Sequence, residues 1–377
     1  MAGTVSWDSL RELASFQAEH GCAITLYVDL DPSIVPTAGD AHTRVNSLLD
    51  SVKANGPRSL THAQREALKA DIGRIRGYFD QEFNRDGAHG LALFCAGLDN
   101  FWNPLALTDS VPDEVKIGRA FYLAPLVPLV GRGEGAVVAF VGREQGKVYR
   151  LQAGRLHELA DLSERLPGRH DQGGWSQANY QRHIESLLLE HLRRVADELD
   201  RQVRRLRGPS VVIVSSDETR GELSDMLTPA VQKAVVGWTQ AEAHASPSEL
   251  LGVARPVLER WREQEEQAAV ERWREEAGRN GRAAAGWEET LEAASDARVE
   301  VLLYELGADR PAWECPKCGR ASVSAGNCPL DGTRMEEQEH GLDVAVHQTL
   351  GHGGTVWALR HRQDLEPVEG IGALLRF

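Results

Sequence analysis

No long hydrophobic run occurs in this sequence. Its most apolar stretch, Phe121 to Val130, is interrupted by Pro125 and Pro128. A membrane-spanning helix needs roughly 20 consecutive apolar residues, so no membrane span is expected. Excess positive charge is missing too. The chain has 42 Lys and Arg against 56 Asp and Glu, a formal net charge of −14. That balance argues against a protein coating bare nucleic acid along its whole length, while leaving room for a local basic face. Cysteine is scarce, with five in 377 residues, and their uneven placement does not suggest a disulfide scaffold. The N-terminus carries Asp8 and Glu12 and has no apolar core, so it does not read as a secretory leader. A cytoplasmic protein is expected.

Hydrophobic residues make up 42% of the chain and charged residues 26%, the balance of an ordinary globular protein. The length suits two or three domains. Residues 1–130 read as an α/β unit. Ile24 to Leu30 has the β-branched character of a strand, Thr61 to Phe83 has helical periodicity, and Leu91 to Cys95 is a short buried strand. Pro125 to Gly135, rich in Gly and Pro, marks a boundary.

A second unit, 131–277, begins with the apolar strand Ala136 to Val141 and a hairpin partner from Lys147 to Leu151. The spacing of Tyr180, Ile184, Leu187, Leu188, Leu192, Val195, Leu199 and Val203 predicts a helix over Ser176 to Arg207. Ser210 to Ser215 reads as a buried strand, Thr219 to Leu227 as a short helix and Pro247 to Glu276 as a charged helix. A third unit, 278–377, carries a helix at Trp287–Ala294, a strand at Val299–Tyr304, a helix at Leu342–Leu350 and strands at Thr355–Leu359 and Ile371–Phe377.

An insert at 312–335 interrupts the third unit. Cys22 and Cys95 sit in apolar runs and read as inert buried thiols. Cys315, Cys318 and Cys328 cluster instead. Cys315-Pro316-Lys317-Cys318-Gly319 has the spacing that brings two thiolates to one metal, with glycine allowing the tight turn. Cys328-Pro329-Leu330-Asp331-Gly332 repeats the pattern with aspartate in the second ligand position. Zinc accepts carboxylate oxygen, so the expected ligands of a structural zinc are Cys315, Cys318, Cys328 and Asp331, with His340 as the alternative fourth. A metal staple suits a segment too short to build its own core.

The polar stretch Arg169-His170-Asp171-Gln172-Gly173-Gly174-Trp175-Ser176-Gln177 leads into the long helix. Adjacent glycines reach backbone angles that other residues avoid. Ser176 is suited to cap the helix, and Gln177 falls in its first turn, where free N–H groups face outward. On composition alone this is a glycine turn before a helix. Arg165, Arg169 and Arg182, with His170 and His183, make its surroundings locally basic, as an RNA-facing loop requires. Arg193, Arg194, Arg201, Arg204, Arg205 and Arg207 continue along the helix, where a solvated face is an equal reading.

This stretch resembles the Gly-Gly-Gln loop of archaeal and eukaryotic class-1 release factors, in the Gly-Gly-x-Ser-Gln form of their bacterial relatives and of Vms-type tRNA-cleaving proteins. Gly173, Gly174, Ser176 and Gln177 match, followed by Gln181, Arg182 and His183. Glu369-Gly370-Ile371-Gly372-Ala373-Leu374-Leu375-Arg376-Phe377 resembles the closing strand of the third domain of release factors and Pelota. The resemblance spans about residues 132–377. It implies an RNase H-like middle domain and an α/β/α sandwich at the C-terminus, with a small zinc-ribbon insert. It also implies a catalytic set of Gly173, Gly174, Ser176, Gln177 and Arg182. Its implied partners are the ribosome at the peptidyl-transferase centre and tRNA site, peptidyl-tRNA, and a translational GTPase.

Two departures stand out. Trp175 and Ser176 separate the glycines from Gln177, and Asn179 falls where close relatives carry a basic residue. No Asn-Ile-Lys-Ser codon-reading motif occurs in residues 1–130, so action without stop-codon reading is expected. The expected function is peptide release or tRNA cleavage on stalled ribosomes. Its alternatives are a non-catalytic factor that occupies the tRNA site and protects idle ribosomes, and an unrelated RNA-binding module shaped by zinc.

Overall fold

A computed structural model describes residues 5, 7–55, 60–85, 87–107, 109–130, 135–152, 154–164, 175–206, 208–279, 281–360 and 363–377, with the side chains of 52–55 and 175–181 left undescribed. These residues form two compact units, one of Met1–Val130 with Glu266–Phe377 and the other of Gly131–Glu265.

The first unit opens with α1 (Trp7–Ser15), β1 (Ala23–Asp29), α2 (Ala38–Asn55), α3 (His62–Gln81), β2 (Gly90–Ala96), β3 (Phe101–Leu107) and β4 (Glu114–Gly118). All pairings are antiparallel, in the order β3-β2-β1-β4. The apolar residues of β1 and β2 are buried on both faces, which explains their unbroken rather than alternating hydrophobicity. Ile24, Leu26 and Val28 meet Val45, Leu49, Ile72 and Ile75 of the two helices on one side. Thr61 and Gln64 form a reciprocal capping box at the start of α3. The other face, with Tyr27 and Phe94, joins a core shared with the C-terminal residues. The first unit's N-terminal part ends at Val130, within the Pro125–Gly135 stretch read as a boundary, and before that end Ala124, Leu126, Val127 and Leu129 are buried in a 3₁₀ turn at Ala124–Leu129.

The second unit contains β5 (Val137–Val141), β6 (Gly146–Gln152), β7 (Arg155–Asp161), α4 (Trp175–Arg205), β8 (Val211–Val214), α5 (Asp217–Ser224), α6 (Pro229–Ala234) and β9 (Val235–Thr239), then the start of α7 (Pro247–Gly278). The sheet runs β7-β6-β5-β8-β9. β6 is antiparallel to β5 and β7, while β5, β8 and β9 are mutually parallel neighbours. This is the RNase H-like arrangement. Leu192, Val195 and Leu199 of α4 cover one face. Leu250, Ala254 and Val257 of α7 cover the other.

The C-terminal part of the first unit follows: β10 (Ala283–Ala285), α8 (Gly286–Ser295), β11 (Val299–Glu305), β12 (Ala312–Glu314), β13 (Ala321–Ser322), β14 (Glu336–Gln338), α9 (Gly341–Gly351), β15 (Thr355–Leu359) and β16 (Ile371–Leu375). Its main sheet is ordered β10-β16-β11-β15. Trp287 and Leu291 of α8 and Val346 and Leu350 of α9 lie on one face. Val270 and Trp273, from the end of α7, lie on the other. The layering is therefore α/β/α. β12, β13 and β14 form a separate small sheet, which carries the cysteine insert.

Polar contacts supplement the shared apolar core between the two parts of this unit. Asp343 Oδ1 accepts from the backbone N–H groups of Leu123 and Ala124, at 2.8 and 2.9 Å. One helical turn later, His347 Nε2 donates to the carbonyl of Phe121 at 2.5 Å.

Candidate functional site

Of the residues expected to act on RNA, Arg165, Arg169, His170, Gly173 and Gly174 lie outside the described residues. α4 opens at Trp175, so Ser176 lies inside the first turn rather than at the capping position. A cap precedes the first helical residue and has non-helical backbone, a role the helical backbone of Ser176 does not fill. Gln177 is in the first turn, as expected. Arg182 and His183 are exposed and make no hydrogen bond or ion pair with another described residue.

The arginines further along α4 are less available than their number suggests. Arg194 pairs with Glu164, Arg201 with Glu198 at 2.6 Å and Arg204 with Asp200 at 2.8 Å. Arg193 and Arg205 have no such partner among the described residues, and Arg207 lies outside them.

A junction absent from the sequence reading sits at the foot of the glycine-bearing segment. After β7 the chain returns to the β5–β6 turn. Leu162 N–H donates to Gly146 O at 2.7 Å and Glu164 N–H to Glu144 O at 2.9 Å. Gly146 N–H donates to Ser163 Oγ at 3.2 Å. From α4, fully buried His191 donates through Nε2 to Gln145 O at 3.0 Å. Arg194 grips both carboxylate oxygens of Glu164, one of them at 2.6 Å. That hydrogen-bonded guanidinium holds the Glu164 carboxyl below its ordinary pKa. Gly146 is required sterically, since a Cβ there would lie 2.8 Å from His191 Cε1 and 3.0 Å from Val195 Cγ2.

The cysteine insert brings all four expected ligands together. The candidate ligand atoms of Cys315, Cys318, Cys328 and Asp331 lie within 4.8 Å of one another. Cys318 Sγ is 3.4 Å from Cys328 Sγ, and Cys315 Sγ is 3.7 Å from both Asp331 oxygens. The two turns repeat each other. Gly319 N–H donates to Cys315 O and Gly332 N–H to Cys328 O, each at 2.9 Å. Both glycines have positive φ, 77° and 73°, a region costly for side-chain-bearing residues. Three thiols and a carboxylate at this spacing could hold a metal, and the donor set suits zinc. The local core is only Cys315, Cys328 and Met335 with Trp313 against it, too small to order the insert alone. His340 is not part of the cluster: its Nδ1 lies 2.5 Å from Asp309 and its ring stacks on Tyr122.

Comparison with known proteins agrees with this arrangement. Residues 122–259 match a family model described as Bacterial archaeo-eukaryotic release factor family 10. Peptide chain release factor subunit 1 of Archaeoglobus fulgidus is 24% identical, over 98% of this chain and 96% of that protein. Its counterpart from Aeropyrum pernix is 26% identical over half of each chain. A structure titled as a model of ribosome-bound archaeal Pelota and ABCE1 aligns over all of this chain and 95% of its own, at 12% identity and a TM-score of 0.43. The five-stranded sheet with α4, and the α/β/α layer bearing the cysteine insert, are the described parts of a chain similar in sequence to archaeal release factors. Over residues 122–259 the chain is thus similar to the bacterial archaeo-eukaryotic release factors of family 10, and over nearly its whole length to an archaeal peptide chain release factor subunit 1.

Proposed function

We propose that this protein enters the ribosomal tRNA site and acts on peptidyl-tRNA of stalled ribosomes, releasing the peptide or cutting the tRNA near its 3′ end. The observation that carries this reading is the sequence Gly173-Gly174 running into the first turn of α4, with Gln177 in that turn and Arg182 and His183 exposed beyond it. Peptide release needs water and ester held in register, which removes part of the entropic barrier. Outward-facing N–H groups of a helix's first turn suit a developing oxyanion, and no side-chain nucleophile is required. A translational GTPase as delivery partner, and independence from stop codons, belong to the same reading. Zinc at Cys315, Cys318, Cys328 and Asp331 would have a structural role, tying the two turns of the insert together.

A second reading has its own support. The helix starts at Trp175, so Gln177 is carried on helical backbone and separated from the glycines. That placement suits a factor that occupies the tRNA site without catalysis. Ribosomes bearing labelled peptidyl-tRNA decide between the two. Release predicts free peptide, or a shortened tRNA 3′ end, that disappears with Gln177→Ala while ribosome binding persists. Bound protein with intact peptidyl-tRNA selects the non-catalytic reading.

A further inference from the structure

We infer that the Glu164–Arg194 pair is a positioning device: it fixes the chain at Glu164, the last described residue before the diglycine residues in sequence. This inference rests on the ribosomal reading above, which makes that segment the acting part. Glu164 is the last described residue before the segment, and α4 begins directly after it. Arg194 belongs to α4, so the helix that follows the diglycine residues in sequence also holds the chain at Glu164, before them.

The contacts at the stem converge. The backbone of Leu162 and Glu164 is hydrogen-bonded to Gly146 and Glu144. His191 holds the same turn through Gln145 O, and Gly146 leaves no room for a side chain to loosen the packing. Arg194 then closes the junction with two parallel hydrogen bonds to Glu164. Both side chains of this pair are substantially exposed, at 42% and 43%. An ion pair at that exposure adds little to global stability. A bidentate guanidinium–carboxylate contact nevertheless defines direction, which a lysine could not reproduce. Acting groups need support from residues whose own geometry is locked, and the pair supplies such support at the segment's foot.

The test uses the full chain in three forms: Arg194→Ala, Glu164→Ala, and the reversal Glu164→Arg with Arg194→Glu. Peptide release at saturating protein, ribosome affinity and thermal midpoint are measured for each. The expected result is a release rate roughly 10- to 100-fold lower in the single variants, with unchanged affinity and midpoint, and recovery in the reversal. Wild-type rates in the single variants, or losses that follow the thermal midpoint, overturn the inference. If the wild-type protein releases nothing, the catalytic reading fails, and amide exchange at Leu162 and Glu164 decides the anchor separately. Exchange roughly tenfold faster in Arg194→Ala, restored by the reversal, supports it; unchanged exchange rejects it.

Discussion

The indole of Trp273 occupies the space that a side chain at position 372 would need. A Cβ built on Gly372 would lie 2.7 Å from Trp273 Nε1 and 2.9 Å from its Cε2. The same Nε1 donates to Ala284 O at 2.9 Å, so the ring cannot withdraw without losing a buried hydrogen bond. The glycine in the closing strand is thus a packing requirement imposed by the end of α7. Gly372→Ala is expected to destabilise the first unit by about 1–3 kcal/mol. The check is a lower urea midpoint at unchanged slope.

Asp343 satisfies two backbone donors of the 3₁₀ segment at once. Removing the acceptor leaves both N–H groups without it in a closed interface. Asp343→Ala is therefore expected to cost about 1–3 kcal/mol, read as a lower thermal midpoint. A variant as stable as wild type would show that water replaces the carboxylate.

His340 gives a pH dependence with a defined sign. The Asp309 carboxylate on its Nδ1 and the nearby Glu114 raise its pKa from 6.5 to about 9, against opposition from burial and Lys116. A group with a raised folded pKa contributes stability that is complete below its unfolded pKa and fades as pH climbs through the folded value. The stability difference between wild type and His340→Gln should therefore be largest below about pH 6.5 and shrink toward pH 9 and above. Urea unfolding of both proteins across this range tests it, and a difference independent of pH contradicts it.

The cysteine cluster predicts about one zinc per chain in metal analysis of protein purified without chelator. Asp331→Ala should lower zinc retention in competition with a chelator. Asp331→Cys should keep or strengthen it, because a fourth thiolate completes the donor set of a closed structural site. Equal retention in all three proteins would remove Asp331 from the ligand set.

Local signals were legible in the sequence, while long-range ones were not. The spacing of Cys315, Cys318 and Cys328 is a short-range pattern, and the structure brings these thiols and Asp331 together. The long periodic segment behind α4 was also readable, within two residues at its C-terminal end. β7 was missed because it is an edge strand, exposed or half-buried throughout, so it lacks an apolar alternation. α2 was legible but unread: Ala41, Val45, Leu48 and Leu49 recur at helical spacing and pack inward, with Thr43 and Ser47 on the exposed face. Glu164 and Arg194 are 30 positions apart, and no pattern in one dimension links an ordinary glutamate to one arginine among several. Only the return of the chain to the β5–β6 turn creates that pairing.

A photo-crosslinker at position 177 gives the most direct test of where α4's first turn goes. With ribosomes holding peptidyl-tRNA, the account predicts crosslinks to the tRNA 3′ end and to large-subunit RNA of the peptidyl-transferase centre. Protein that fails to sediment with ribosomes, or crosslinks confined to the small subunit, would contradict it.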